Sequence, residues 1–384
     1  MMKRLLLCFG LSIVLLLAGC ATAPRSQSFQ VTSPNHIALL VPLSGPLAPY
    51  GNAIRNGFFA AYYTAKDQNG TSPTIDVLDT NGQSIQSVYQ TAIAQGANFV
   101  VGPLDKPSVT TLAQQHLSVP VLALNMGNSP ANNAALIEFA LSPTDEAEQA
   151  AIKANADHHH AVLILAPQTA YGTRLVSAFS AQWKKTGGTV VATQYYNDIS
   201  TLSQSISNVL QISQGRKDAR TLERMLQRNV RYIPQRRQDF DSIFMVATPT
   251  MAKQIELLLR FYFVENIPIY ATSQVYNGMP NPELDGVMFC DMPWTLAPNQ
   301  MQPAYLQSIQ QRIQATWPNN YTGLAKFYAM GVDAFNVIPQ LSAMQSSPSD
   351  SFSGATGTLY LSSDRQIKRQ LLWAQIKNGM PVVM

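Results

Sequence analysis

The sequence predicts an α/β protein of two doubly wound lobes, and two features of its hydrophobic pattern carry that prediction. Short apolar runs without strict alternation are separated by segments whose apolar residues recur at helical spacing. That is the pattern of parallel strands buried on both faces beneath covering helices. The rhythm runs from His36 to Leu141 and restarts after Ser142. The length of 384 residues suits two cores better than one.

In the first lobe, apolar strands are expected at 37–41, 75–78, 99–101, 120–124 and 137–141. Helices between them carry Ile54, Phe58, Ala61 and Tyr62, then Ile85, Val88 and Ala92. Ser142-Pro143-Thr144-Asp145-Glu146 opens a new helix. Ser suits the N-cap, Pro the first helical position, and acids the first turn, where the helix dipole favours them. The second lobe then repeats the scheme, with strands at 161–166, 189–193 and 242–247 and helices at 173–183 and 202–212. A third block starts with strands at 267–271 and 287–291 and continues through helices near 304–315 and 323–343. The chain closes with strands at 357–361 and 370–377, followed by the turn dipeptide Asn378-Gly379.

Ahead of the first strand, Lys3 and Arg4 precede an apolar run from Leu5 to Leu17 that ends in Leu17-Ala18-Gly19-Cys20. The run is too short to stay in a bilayer as a spanning helix and reads as a signal peptide over 1–19. Leu-Ala-Gly-Cys is the sequence at which bacteria cut a lipoprotein precursor and acylate the new N-terminal cysteine, so Cys20 is the expected lipidation site. A secretory signal with a chance cysteine is the competing reading. Ala21, in place of Asp, fits sorting to the outer membrane of a Gram-negative cell. Residues 20–35 are small, polar and proline-punctuated, and read as a lipidated tether.

Composition narrows the function classes. With Lys3 and Arg4 removed, 24 basic residues face 22 acidic ones, a balance that argues against nucleic acid as a partner. Cys8 leaves with the signal and Cys20 is acylated, so Cys290 has no partner for an internal disulfide.

Loops at the carboxyl ends of parallel strands are where open α/β sheets place ligands. Here they supply Ser44 and Gly45 in Pro42-Leu43-Ser44-Gly45-Pro46, Gly102 before Pro103, Asn125 before Met126-Gly127, Tyr171 before Gly172, and Ser273. Together these six could line a cleft between lobes; the competing reading is that each loop is a tight strand-to-helix turn. The first loop lacks the Lys-Ser/Thr ending of a P-loop and the G-x-G-x-x-G spacing, which argues against a nucleotide. His158-His159-His160 enters a strand, where successive side chains point to opposite faces and chelate poorly, so no metal is expected. No H-E-x-x-H, G-x-S-x-G or S-x-x-K set supports catalysis, and the acid pairs Asp76/Asp79 and Asp239/Asp241 read as solvated strand ends. No cofactor is implied.

The segment from Arg216 to Arg237 holds eight Arg and Lys against Asp218 and Glu223. Arg220, Arg224, Arg228 and Arg231 would share one helical face. The two readings are a solvated face and a contact for an acidic partner or anionic polymer.

Several segments together resemble a known family: HIALLVPLSGPLAPYGNAIRNGFFAAYY, VVGPLDKPSV, VPVLALN, FALSPTDEAEQAA, YGTRLVSAFSAQWKKTGG, RRQDFDSIFMVATP, IPIYATSQVYNG, GVMFCDMPWTL and YAMGVDAF. In this order they resemble the LppC family of outer-membrane lipoproteins, which activate class A penicillin-binding proteins. The resemblance implies a type I periplasmic-binding-protein-like fold, two α/β lobes joined by three crossovers. The lobes would then be 36–142 plus 267–345 and 143–266 plus 346–384, with the third block returning to the first lobe and the terminal hairpin to the second. Longer members of the family carry a helical, tetratricopeptide-like domain ahead of this fold; here only the short tether is expected before strand one.

The implied function is that of a non-enzymatic, outer-membrane-anchored, periplasm-facing activator of a class A penicillin-binding protein, acting on peptidoglycan synthesis and cross-linking. The rival is a periplasmic solute-binding lipoprotein for an amino acid or muropeptide-like ligand, with the six cleft residues around the solute. Peptidoglycan itself is a further candidate ligand. A cell-wall hydrolase has no motif behind it.

Overall fold

The computed structural model describes residues 34–70, 72–128, 133–231, 235–296, 302–347 and 349–384. Cys20, the signal segment and residues 20–33 of the tether lie outside the described residues.

The first sheet begins with β1 (His36–Val41), β2 (Thr74–Asp79), β3 (Phe99–Val101), β4 (Val121–Ala123) and β5 (Leu136–Phe139). The second begins with β6 (Ala161–Pro167), β7 (Thr189–Tyr196), β8 (Ser242–Met245), β9 (Ile269–Ala271) and β10 (Met288–Asp291). The chain then returns to the first sheet with β11 (Ser351–Ser353), β12 (Thr358–Leu361) and β13 (Gln366–Gln370), and to the second with β14 (Leu372–Lys377) and β15 (Met380–Val383). The spatial orders are β11-β12-β13-β5-β4-β3-β1-β2 and β15-β14-β10-β9-β8-β6-β7. In each sheet the first strand is flanked by the second on one side and the third on the other, all parallel. That order creates a switch point between β1 and β3 and another between β6 and β8, where loops diverge and leave a crevice.

The helices are α1 (Ala48–Asn69), α2 (Ile85–Ala94), α3 (Lys106–Ala113), α4 (Pro143–Ala156), α5 (Ala170–Lys185), α6 (Ile199–Val209), α7 (Ile212–Leu226), α8 (Pro249–Phe261), α9 (Pro293–Leu296), α10 (Ala304–Thr316), α11 (Pro318–Asn336) and α12 (Leu341–Ser346). Every residue of β1 from Ile37 to Val41 is buried, as a strand covered on both faces requires. The cap expected at Ser142 is present: its Oγ accepts from the backbone N–H of Thr144, with Pro143 opening α4. The expected turn also forms, since Asn378 and Gly379 take positive φ values of 52° and 78° between β14 and β15.

The third block departs from expectation. β9 and β10 do not return to the first sheet; β9 pairs in parallel with β8, and β10 with β9. Once α8 follows β8, the right-handed crossover lays the next strand beside it, so the second sheet keeps growing. The return to the first lobe is made by helices α10 and α11 and then by β11, β12 and β13. The terminal strands also divide: β13 pairs in parallel with β5, whereas β14 runs antiparallel to β10. Leu371 alone separates β13 from β14.

Helix α11 lies against α1 at unusually close range. A β-carbon on Gly57 would sit 2.1 Å from the carbonyl oxygen of Tyr328, and one on Gly331 would sit 2.0 Å from that of Ile54. Two glycines thus face backbone reciprocally, and Phe58 packs edge-on to Phe335 at 5.2 Å between ring centroids. The contact seats α11 in the first lobe. Gly331→Ala should force the helices apart and cost about 1–3 kcal/mol, to be read as a lower urea midpoint with an unchanged slope.

Candidate functional site

Among the described residues the chain passes between sheets three times: between β5 and β6, between β10 and β11, and at Leu371. The residues flanking these passages meet in one polar junction, buried except at Lys326, whose side chain is 38% exposed. Lys326, on α11 of the first lobe, places its ammonium 2.7 Å from Ser273 Oγ and 2.8 Å from Asp291 Oδ1. Ser273 and Asp291 follow and end strands of the second sheet. Ser273 in turn donates through its N–H and its hydroxyl to the carboxylate of Glu146, at 2.7 and 3.0 Å. Glu146 stands in the first turn of α4, the helix that leaves the first lobe. The Ser273 hydroxyl therefore accepts from lysine and donates to glutamate.

Burial pushes the Glu146 carboxyl above its ordinary range; Asp291 adds to that rise, and Lys326 opposes it. Tyr171 is pushed up to about 12, first by burial and then by the charge of Glu146, with Arg174 opposing. The Arg174 guanidinium lies 5.7 Å from the centre of that ring. Cys290 is fully buried, with Sγ 3.8 Å from the carbonyl oxygen of Glu146, and burial raises its thiol far above the usual range.

Two further buried groups brace the crossovers. Asp333 of α11 accepts from the N–H of Ala355 at 2.7 Å, and from the N–H and hydroxyl of Thr356 at 2.7 and 2.6 Å. Burial nevertheless holds its carboxyl up at about 6. Arg369, at the end of the first sheet, is 4% exposed, lies 3.6 Å from Asp145 and donates to the carbonyl oxygen of Ser142 at 3.3 Å. Gln149 closes the arrangement by donating to the Arg369 carbonyl oxygen and accepting from the N–H of Leu371, both at 2.9 Å.

The six sequence-predicted cleft residues all lie at carboxyl ends of parallel strands, but they form two sets. Ser44 donates to Asp79 at 2.6 Å and accepts from Asn81 at 3.1 Å. Gly45, at φ 71°, lies so close to Asn81 that a β-carbon would overlap its amide. The Gly102 N–H donates to the Leu122 carbonyl oxygen at 2.8 Å, and Asn125 donates to that of Leu104 at 2.9 Å. These four make their hydrogen bonds within the first lobe. Ser273, in the second lobe, belongs to the Glu146 group instead, and Tyr171 of the same lobe packs with Arg174.

The predicted basic face is interrupted. Arg220 and Arg224 lie on α7, but Gln227 turns left-handed at φ 50° and ends the helix, so Arg228 and Arg231 lie beyond it. A continuous 220–231 helix therefore does not form. Arg220, Arg224 and Arg228 still line one open hollow of about 470 Å³ with Glu223 and Gln227.

Residues 25–379 match the family described as "LppC putative lipoprotein". The chain belongs to the LppC family. A curated relative from Vibrio antiquarius, "Penicillin-binding protein activator LpoA", is 28% identical over 361 residues, covering 91% of this chain and 58% of the relative. The LppC chain thus spans a little over half the length of such relatives. The solved "LpoA (YraM) C-domain from Haemophilus influenzae, a regulator of PBP1A" superposes with a TM-score of 0.71 at 28% identity, over 91% of this chain and 99% of that one. A "putative branched-chain amino acid ABC transporter" from Chromobacterium violaceum superposes with a TM-score of 0.66 at 26% identity, over 89% and 99%. The expected two-lobed, periplasmic-binding-protein-like fold is therefore the observed one.

In this LppC chain, reading the sequence missed Lys326, Asp291, Asp333 and Arg369, and assigned Asp145 and Glu146 only to helix capping. Their signal was present: Glu146, Ser273, Asp291 and Asp333 lie in the FALSPTDEAEQAA, IPIYATSQVYNG, GVMFCDMPWTL and YAMGVDAF segments. Only the fold brings those segments together.

Replacing Lys326 by Met keeps the apolar stem and leaves two acids without their cation. Chemical denaturation at pH 7.5 should show a loss of about 1–3 kcal/mol, shrinking toward acid pH as the carboxyls take up protons. For Asp333 the folded pKa lies above its ordinary value of 3.8. Its contribution to stability is therefore full below about pH 4 and is lost as pH rises through about 6. Carboxyl NMR of labelled protein should place the Asp333 midpoint near 6; a midpoint below 4 contradicts this.

Proposed function

We propose that this LppC protein is a non-enzymatic activator of a class A penicillin-binding protein, held by acyl chains on Cys20 in the outer membrane and facing the periplasm. The observation that carries the reading is the match along nearly the whole length of the LpoA C-domain, a regulator of PBP1A, at an identity that exceeds fold likeness alone. The lobes proposed from sequence, amended by sheet membership, are 36–142 with 304–370 and 143–291 with 372–384.

A second observation weighs against the solute-receptor reading. A receptor needs unpaired polar groups at the cleft to meet its ligand. Here the hydroxyl of Ser273 and the carboxylate of Asp291 are engaged by Lys326 from the facing lobe, and the carboxylate of Glu146 is engaged by Ser273. Ser44 and Asn125 are likewise engaged within the first lobe. A solute would have to displace charge-assisted bonds already made inside the protein, which costs more than filling a vacant site. The LppC chain is better suited to present a fixed surface than to close on a small molecule.

The test is peptidoglycan synthesis from lipid II by the same organism's class A penicillin-binding proteins, with and without the purified protein, following polymerisation and cross-linking separately. Stimulation of one enzyme is the expected result. Absence of both stimulation and binding, together with a metabolite that raises the melting temperature, would transfer the assignment to the solute receptor.

A further inference from the structure

We infer that the end of the second lobe farthest from the cleft, centred on α7, is the docking surface for an acidic face of a protein partner; the choice of partner rests on the activator reading above. Helices α6 and α8 start at the carboxyl ends of β7 and β8 and run to the opposite end of the sheet, so α7 and the tip of α8 share that far end.

Helix α7 is anchored at its foot and free along its length. Ile212 and Ala219 are buried, whereas Leu222 and Leu226 on the same side and Met225 at its flank are 49%, 59% and 76% exposed. Lys217, Arg220 and Arg224 lie round the opposite side, and Arg216 stands one turn from Ile212. Among the described residues none of these four cations, nor Arg228, forms a salt bridge. An apolar stripe this exposed, backed by unpaired cations, lacks its cover in the isolated chain.

The end of α8 adds exposed apolar groups at the same end of the lobe. Phe261 and Phe263 are 70% and 77% exposed, and Phe263 is held left-handed at φ 61°, a strained conformation for a bulky residue. Arg236 fixes this tip by donating to the Phe263 carbonyl oxygen at 3.1 Å, while the Arg237 N–H donates to that of Leu210 at 3.0 Å, at the foot of α7. The α8 tip and the foot of α7 are thus tied to each other through Arg236 and Arg237.

Composition selects the occupant. Arg, Met and Phe are enriched in protein interfaces while Lys is depleted, and between 216 and 237 Arg outnumbers Lys seven to one. Arginine's planar fork matches carboxylates in pairs, whereas a lipid surface draws lysine equally well. The excess of positive charge calls for acids on the facing surface.

The test uses the full chain in detergent and the synthase that it stimulates, with binding measured at about 50 and 300 mM salt. Wild-type affinity should fall steeply with salt. Arg220→Glu with Arg224→Glu should weaken binding by about tenfold or more at low salt and flatten the salt dependence. Leu222→Ser with Met225→Ser should weaken it by about tenfold at both salts. Far-ultraviolet circular dichroism checks that both variants are folded. Folded variants that bind and stimulate like wild type overturn the docking surface and leave the activator reading intact. A wild-type chain that neither binds nor stimulates any synthase overturns that reading and the choice of partner with it. Sedimentation with phosphatidylglycerol vesicles is the third arm: vesicle binding lost in the variants, with synthase binding unchanged, overturns the assignment in favour of lipid.

Discussion

One ammonium group ties the two lobes together at the centre of their junction. Lys326 reaches from the first lobe to Ser273 and Asp291 of the second, and through Ser273 to Glu146. Burying two carboxylates near one another is unfavourable unless a cation and hydrogen-bond donors are supplied in fixed geometry. The fold meets this requirement with three different elements, so the group assembles only when helix α11, helix α4 and the second sheet are all in place. The close α1–α11 packing fixes the backbone from which Lys326 extends, and the Asp333 carboxylate fixes the turn between β11 and β12 at Ala355 and Thr356. Around this polar centre, Ala53 and Ala61 of α1 share an apolar cluster with Cys290, Met292 and Trp294 from the second lobe's side. Polar specificity and apolar burial therefore act at the same junction.

The sequence made local structure legible wherever one signal dominated. Continuous apolar runs placed β1, β3 and β6 within a residue or so at each end, because a strand covered on both faces has no polar position to confuse its limits. The Ser142-Pro143 cap placed the start of α4 for the same reason. The path of the third block was not legible, since a strand's hydrophobicity says that it is buried and not in which sheet. Sheet membership there follows from the crossover of α8 and from the single residue between β13 and β14. The end of α7 was missed because a spacing of four between arginines persists on paper beyond Gln227, whereas the left-handed turn that breaks the helix leaves no mark in charge pattern. At the site, the loops were found because glycine and proline announce turns. Lys326 and Asp333 were not, because one charged residue in an amphipathic helix reads as solvated until the fold supplies its partner.

A helper that changes an enzyme's activity must bind one of that enzyme's states better than another, and the size of the preference sets the size of the effect. Moving an equilibrium from 1:99 to 99:1 takes about 5.5 kcal/mol of differential binding. A two-lobed protein could draw this from its own closure or from a rigid surface that fits only one state of its partner. Closure here would require breaking the Lys326 contacts between the lobes, which opposes relative motion. A fixed template does not ask for this. The exposed arginines and phenylalanines lie at the far end of the second lobe, away from the junction, so on this reading the conformational change belongs to the partner.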